Sequence, residues 1–161
     1  MNEAFVTQNK LFRIRVTTYA ENPGFVPGAY YVFESARLSS TDWHRIAVFR
    51  HDDPVPIPRD QIRFISDKIA YVFMGWVYAV TTDAGTNWSV WEAPGKIQNY
   101  RLIQDVELRG TGVGTMRCEV IASRGYETQE FKTDDYGRTW ERDTSNPYVG
   151  SQAAGASLRV Y

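Results

Sequence analysis

The chain has 161 residues, the length of one domain, and 18 Lys plus Arg against 19 Asp plus Glu give a formal charge of −1. That balance lacks the basic footprint expected of a nucleic-acid binder and the polybasic attraction to anionic lipid. Cys118 is the single cysteine, which excludes an intrachain disulfide and a thiolate metal cluster. No run of about 18 apolar residues supplies a transmembrane helix. The opening Met1-Asn2-Glu3-Ala4-Phe5 lacks the regions of a signal peptide. Either a cytoplasmic chain or a mature periplasmic one fits this start.

Aromatic residues make up 14% of the chain, and with the β-branched residues they suit pleated, half-buried surfaces. Period-2 alternation predicts a strand over residues 11–19, with Phe12, Ile14 and Val16 on one side and Arg13 and Arg15 on the other. Further strands are predicted over 30–34, 43–49, 69–73, 76–81, 101–109, 116–123, 127–133 and 157–161, each bounded by Gly, Pro, Asn, Asp or Ser. The proline-rich stretches 22–28 and 52–58 read as surface connections, because proline cannot donate to a ladder. Residues 144–155 are polar and read as a loop. The expectation is one all-β domain over residues 1–161.

Two segments repeat. Thr81-Thr82-Asp83-Ala84-Gly85-Thr86-Asn87-Trp88 and Thr133-Asp134-Asp135-Tyr136-Gly137-Arg138-Thr139-Trp140 each follow a predicted strand. In each, the Asp carboxylate is expected to accept backbone N–H groups of a tight turn, and Gly85 or Gly137 to supply positive φ. Trp88 and Trp140 are then placed to open the returning strand and pack beneath the turn. A degraded third copy, without the Asp and Gly in place, spans Ser35-Ala36-Arg37-Leu38-Ser39-Ser40-Thr41-Asp42-Trp43. Trp43, Trp88 and Trp140 recur at about the 40–50-residue period of propeller blades.

The pattern Thr-x-Asp-x-Gly-x-(Thr/Asn)-Trp resembles the Asp-box, or BNR repeat, of sialidases, sortilin-type receptors and photosystem assembly factors. The resemblance implies a folding device at hairpin turns, away from any active site. It also implies four-stranded blade units. The length allows about three, whereas closed propellers use at least four. The expected architecture is therefore an antiparallel, propeller-like or sandwich-like stack.

Candidate chemistry is sparse. A sialidase needs three arginines around a carboxylate, but Arg13, Arg15, Arg37, Arg45, Arg50, Arg59 and Arg63 lie scattered and read as solvated strand residues. His44 and His51 are the only histidines, and no Gly-x-Ser-x-Gly elbow is present. His51, Asp52, Asp53 and Asp60 are ligand-type side chains, yet a turn-forming acidic pair in a proline-rich loop accounts for them. Residues 110–114 lack the Gly-Lys-Ser/Thr ending of a phosphate loop and read as a turn. Cys118 falls on the core side of its strand.

These readings leave no enzyme, cofactor or metal to expect, and a binding role as the default. Short, neutral, cysteine-poor chains with irregular Asp-box repeats resemble immunity proteins that neutralise type VI secretion effectors, lipase effectors especially. That resemblance implies a cognate effector or toxin as protein partner, gripped by loops 21–28 and 50–60. The partner-binding candidates there are Glu21, Phe25, His51, Asp52, Asp53, Arg59 and Asp60. The alternatives are a carbohydrate-binding or vestigial sialidase-like module, whose aromatics would stack on sugars, and an assembly factor.

Overall fold

The computed structural model describes residues 3–20, 28–52, 55–57 and 59–145. They form three antiparallel four-stranded sheets, none closed into a barrel, with no α-helix among the described residues. The first sheet takes β1 (Glu3–Gln8), β2 (Phe12–Ala20), β3 (Ala29–Arg37) and β4 (His44–His51) in chain order. The second takes β5 (Ile62–Phe64), β6 (Ala70–Met74), β7 (Val77–Thr81) and β8 (Ser89–Glu92), after a 3-10 turn at Arg59–Gln61. The third takes β9 (Tyr100–Leu108), β10 (Gly114–Ala122), β11 (Gly125–Thr133) and β12 (Glu141–Arg142). Each sheet is a meander of propeller-blade size and order. The chain folds as two compact units, Met1–Val90 and Trp91–Tyr161.

In the first unit the alternation of β2 buries Phe12, Ile14 and Val16 completely. The register Val16↔Phe33 and Ile14↔Ser35 sends the same face of β3 inward. These residues, with Tyr31 and Phe49, share one core with Val72, Met74, Val77 and Ala79 of the second sheet. Every residue of β6 and β7 is buried, so both strands read as continuous apolar runs, as strands covered on both faces do. Phe12 meets Phe64 edge-on at 5.3 Å, and Phe49 meets Trp76 at 4.5 Å. Together these rings fill the space between the two sheets.

Residues 55–57 do not behave as the free surface connection expected. Ile57 is buried in the core. The Tyr31 hydroxyl donates to the Val55 carbonyl (2.5 Å) and accepts the Val55 amide (2.7 Å). A buried phenol thereby satisfies two backbone groups that no ladder reaches. In the second unit, Met116, Cys118 and Val120 of β10 are buried beside Ile103 and Val106 of β9. Burial pushes the Cys118 thiol up to about 12, which leaves it protonated and unreactive at neutral pH.

The strands missing from the sequence reading are β1 and β5, whereas β8 and β12 are the returning strands expected after Trp88 and Trp140; all four lie at sheet edges. Edge strands are short or lack one inward-facing partner; β1 is exposed or half-buried throughout and β12 is exposed. The expected strand 157–161 lies outside the described residues, as do residues 22–27 and nearly all of 144–155. Residues 110–113 form the expected turn between β9 and β10, and Gly114 opens β10.

Gly75, in the tight β6–β7 turn, has φ +58°, and a Cβ there would sit 2.2 Å from the Phe49 ring. Gly75→Ala is therefore expected to cost about 2–4 kcal/mol, the sum of left-handed strain and overpacking. A chemical-denaturation midpoint unchanged from wild type would refute this account of the turn.

Candidate functional site

The two repeats fold into corners with the same hydrogen-bond plan, each joining the third strand of a sheet to the fourth. In the first, the Thr81 hydroxyl donates to Asp83 Oδ1 (2.9 Å) and accepts the Gly85 amide (2.9 Å). Asp83 Oδ1 also accepts the Asn87 amide (2.8 Å), and Oδ2 accepts Asn87 Nδ2 (2.8 Å). In the second, Thr133 bridges Asp135 (2.7 Å) and the Gly137 amide (2.9 Å), and Asp135 accepts the Thr139 amide (2.9 Å) and hydroxyl (2.6 Å). The Asn87 side chain thus does what the Thr139 hydroxyl does. Positive φ is needed at two positions, not one: Ala84 and Gly85 at 58° and 80°, Tyr136 and Gly137 at 64° and 79°. Those signs belong to a type I′ turn, whose twist matches that of the flanking strands.

Each corner is also tied to the loop between the first and second strands of its own sheet. The Ala84 amide donates to the Lys68 carbonyl (2.9 Å) and the Tyr136 amide to that of Gly112 (3.0 Å). The degraded copy keeps this bond, Leu38 N–H to the Leu11 carbonyl at 3.2 Å. It has lost the carboxylate clamp but retains the backbone plan.

The three indoles do different things. Trp88 packs edge-on to Phe12 at 6.5 Å and donates to Ser35 Oγ (2.9 Å), which itself donates to the Gly85 carbonyl (3.3 Å). Trp140 is half-buried and lines a groove of about 430 Å³ with Gln98, Asn99, Glu127, Gln129 and Arg142. Trp43 lies under Arg13 and Arg15, whose guanidinium carbons stand 4.9 and 4.1 Å from its ring.

The electrostatics fit a structural role for the corner acids. Burial raises Asp83 and Asp135, but the hydrogen bonds from Asn87 and Thr81, and from Thr139 and Thr133, together outweigh it and hold both carboxyls below the ordinary 3.8. Their oxygens are turned toward turn amides and hydroxyls, which leaves them ionised clamps and not proton donors.

The partner-binding candidates fall into three groups. Glu21, Phe25 and Asp53 lie outside the described residues. His51 is half-buried, 5.9 Å from the Phe49 ring, and Asp52 accepts a hydrogen bond from Arg50. Arg59 stands 3.8 Å from Glu3 and over the Phe5 ring at 4.7 Å, and Asp60 is exposed. The register Ala20↔Ala29 and Ala29↔His51 sets the stems of loops 21–28 and 50–60 beside each other at one end of the first sheet. Arg59 is at the same end but beside β1, the opposite edge strand, since Glu3 pairs with Thr18. No group of three or more His, Cys, Asp or Glu suited to a metal occurs among the described residues.

One set of residues escaped the sequence reading. The arginines called scattered include four that converge: Arg13, Arg15, Arg45 and Arg50 share the outer face of the first sheet with Tyr19, Tyr30, Glu34 and Trp43. The alternation in residues 11–19 was the available signal, but the register of β3 and β4 against β2 was not.

The chain matches no known protein family, no characterised protein and no solved structure. Among the described residues no helix is long and apolar enough to cross a membrane.

Thr133 is 6% exposed, and Thr133→Val keeps its shape while deleting the hydroxyl that bridges Asp135 and Gly137. A loss of about 1–3 kcal/mol in unfolding free energy is expected, and a loss near zero would sink the clamp. Because the corner carboxyls titrate lower folded than unfolded, their stabilisation is fully present above about pH 4 and disappears as pH falls through the depressed folded values. The double variant Asp83→Asn/Asp135→Asn should show a shallower loss of melting temperature below pH 4 than wild type.

Proposed function

We propose that this chain is a non-catalytic protein-binding protein, an immunity protein that neutralises a toxic bacterial effector enzyme by covering it. The observation that carries the reading is the convergence of the two loop stems at one end of a sheet fixed from behind by a buried core. Such a mounting sets the two loop stems on one fixed platform, where a partner can meet both at once. The Thr81–Trp88 and Thr133–Trp140 corners support it through their likeness to Asp-box turns, which organise scaffolds. The displaced carboxylates support it too: Asp83 and Asp135 are held by partners within their own turns and Asp143 by Ser145 and Lys132, so none is poised for acid–base chemistry.

A second reading, a carbohydrate-binding module, draws on the groove beside Trp140, where an indole meets amide and carboxylate side chains. Aromatic rings and amides are what sugar faces and hydroxyls require. It predicts a tryptophan-fluorescence change on adding glycans that Trp140→Ala abolishes.

The deciding experiment is co-purification with the protein encoded by the neighbouring gene, followed by assay of that protein's activity. The expected result is a stable complex and full inhibition at equimolar ratio, with Kd of about 10⁻⁸ M or tighter. An enzyme left fully active by a molar excess of this chain would end the proposal.

A further inference from the structure

The outer face of β1–β4 carries an uneven charge. Opposite the buried Phe12, Ile14 and Val16, β2 presents Arg13, Arg15 and Tyr19. Tyr30 pairs with Tyr19 and Arg50, Val32 with Val48, and Glu34 with Arg15 and Arg45. Arg45 reaches this face through an irregularity. The register slips between Phe33 and Glu34, so that Ala47 opposes Phe33 and Arg45 opposes Glu34 while Ile46 stays in the core. Strict alternation would have put Arg45 on the same side as Ala47; a bulge re-aims it. Four arginines thus stand with two acids, Glu34 between Arg15 and Arg45 and Asp52 paired with Arg50, on a chain whose total is −1.

The face is also preorganised. Arg15 donates twice to Glu34 (3.0 and 2.6 Å), Arg13 donates to the Ser40 carbonyl (2.6 Å), and both stack on Trp43. Around them Tyr19, Tyr30, Val6 and Val48 are 42%, 36%, 47% and 37% exposed. Tyrosine, tryptophan and arginine held rigid among exposed aliphatics is the composition of binding hot spots.

We infer that the outer face of the first sheet docks an acidic protein surface, with Arg45, and Arg50 in exchange for Asp52, meeting its carboxylates around the Tyr19–Tyr30 pair. This rests on the partner-binding reading above and adds the partner's chemistry. Charge complementarity selects the occupant. A nucleic-acid strand fits less well: Glu34 sits at the centre, Arg13, Arg15 and Arg50 are already bonded, and exposed valines interrupt the cationic track. A second copy laid face to face would set arginine against arginine.

The test titrates the full chain with a glutamate-rich, tyrosine-containing peptide of about twelve residues, with its lysine counterpart, and with a single-stranded oligonucleotide of similar length, following amide shifts by NMR. Expected are shifts confined to β2–β4 and Trp43 with the acidic peptide, weakening with salt, and at least about a tenfold loss of affinity in Arg45→Glu/Arg50→Glu. Arg45→Gln/Arg50→Gln, which removes charge without adding it, should fall between. No acidic-peptide binding, tighter oligonucleotide binding on this face, or self-association abolished by the charge reversal would each overturn the inference. The two proposals separate. If the acidic peptide binds but the neighbouring enzyme does not, the immunity reading falls alone. If wild type and Arg45→Glu/Arg50→Glu inhibit that enzyme equally, the docking face falls alone.

Discussion

The hydroxyl of a threonine at the end of a third strand holds much of this protein in shape. Thr81 and Thr133 each accept the glycine amide of the following turn and donate to the aspartate two residues on. The aspartate then gathers the far side of the turn through the amide and side chain of Asn87 or Thr139. In water such a loop would hold these groups loosely; here a few short charge-assisted bonds satisfy turn donors that no ladder could reach. Because the same corner bonds back to the loop between its first two strands, one motif fixes both ends of a meander. The first sheet manages without the carboxylate, keeping only the backbone link at Leu38.

That economy separates scaffold from surface. The acids with depressed titration are occupied in turns, the thiol is buried, and the large rings of the first unit fill the space between two sheets. Guanidiniums and phenols gather instead on the first sheet's outer face, with the loop stems at its end. Net charge concealed this, since a total near zero says nothing about how the charges are distributed. A Trp43 ring that lost its place in a clamp has become a shelf for Arg13 and Arg15.

What the amino-acid order determined by itself was the strand class, the central strands and the two corners. Those signals are local: alternation along β2, apolar runs in β6 and β7, and a threonine, aspartate and glycine within five positions whose bonds span no more than one turn. Sequence pattern did not reveal the edge strands β1 and β5, and it placed β8 and β12 only through the tryptophans that precede them, because a short edge strand carries a weak pattern of its own. Nor could it seat Ile57 in the core, since the phenol that fixes that segment, Tyr31, lies on a different strand. Only the tertiary structure decided which arginines stand together. Side chains alternate within one strand, but their neighbours across the sheet depend on register, and here a single slip beside Phe33 turned Arg45 outward to join the others.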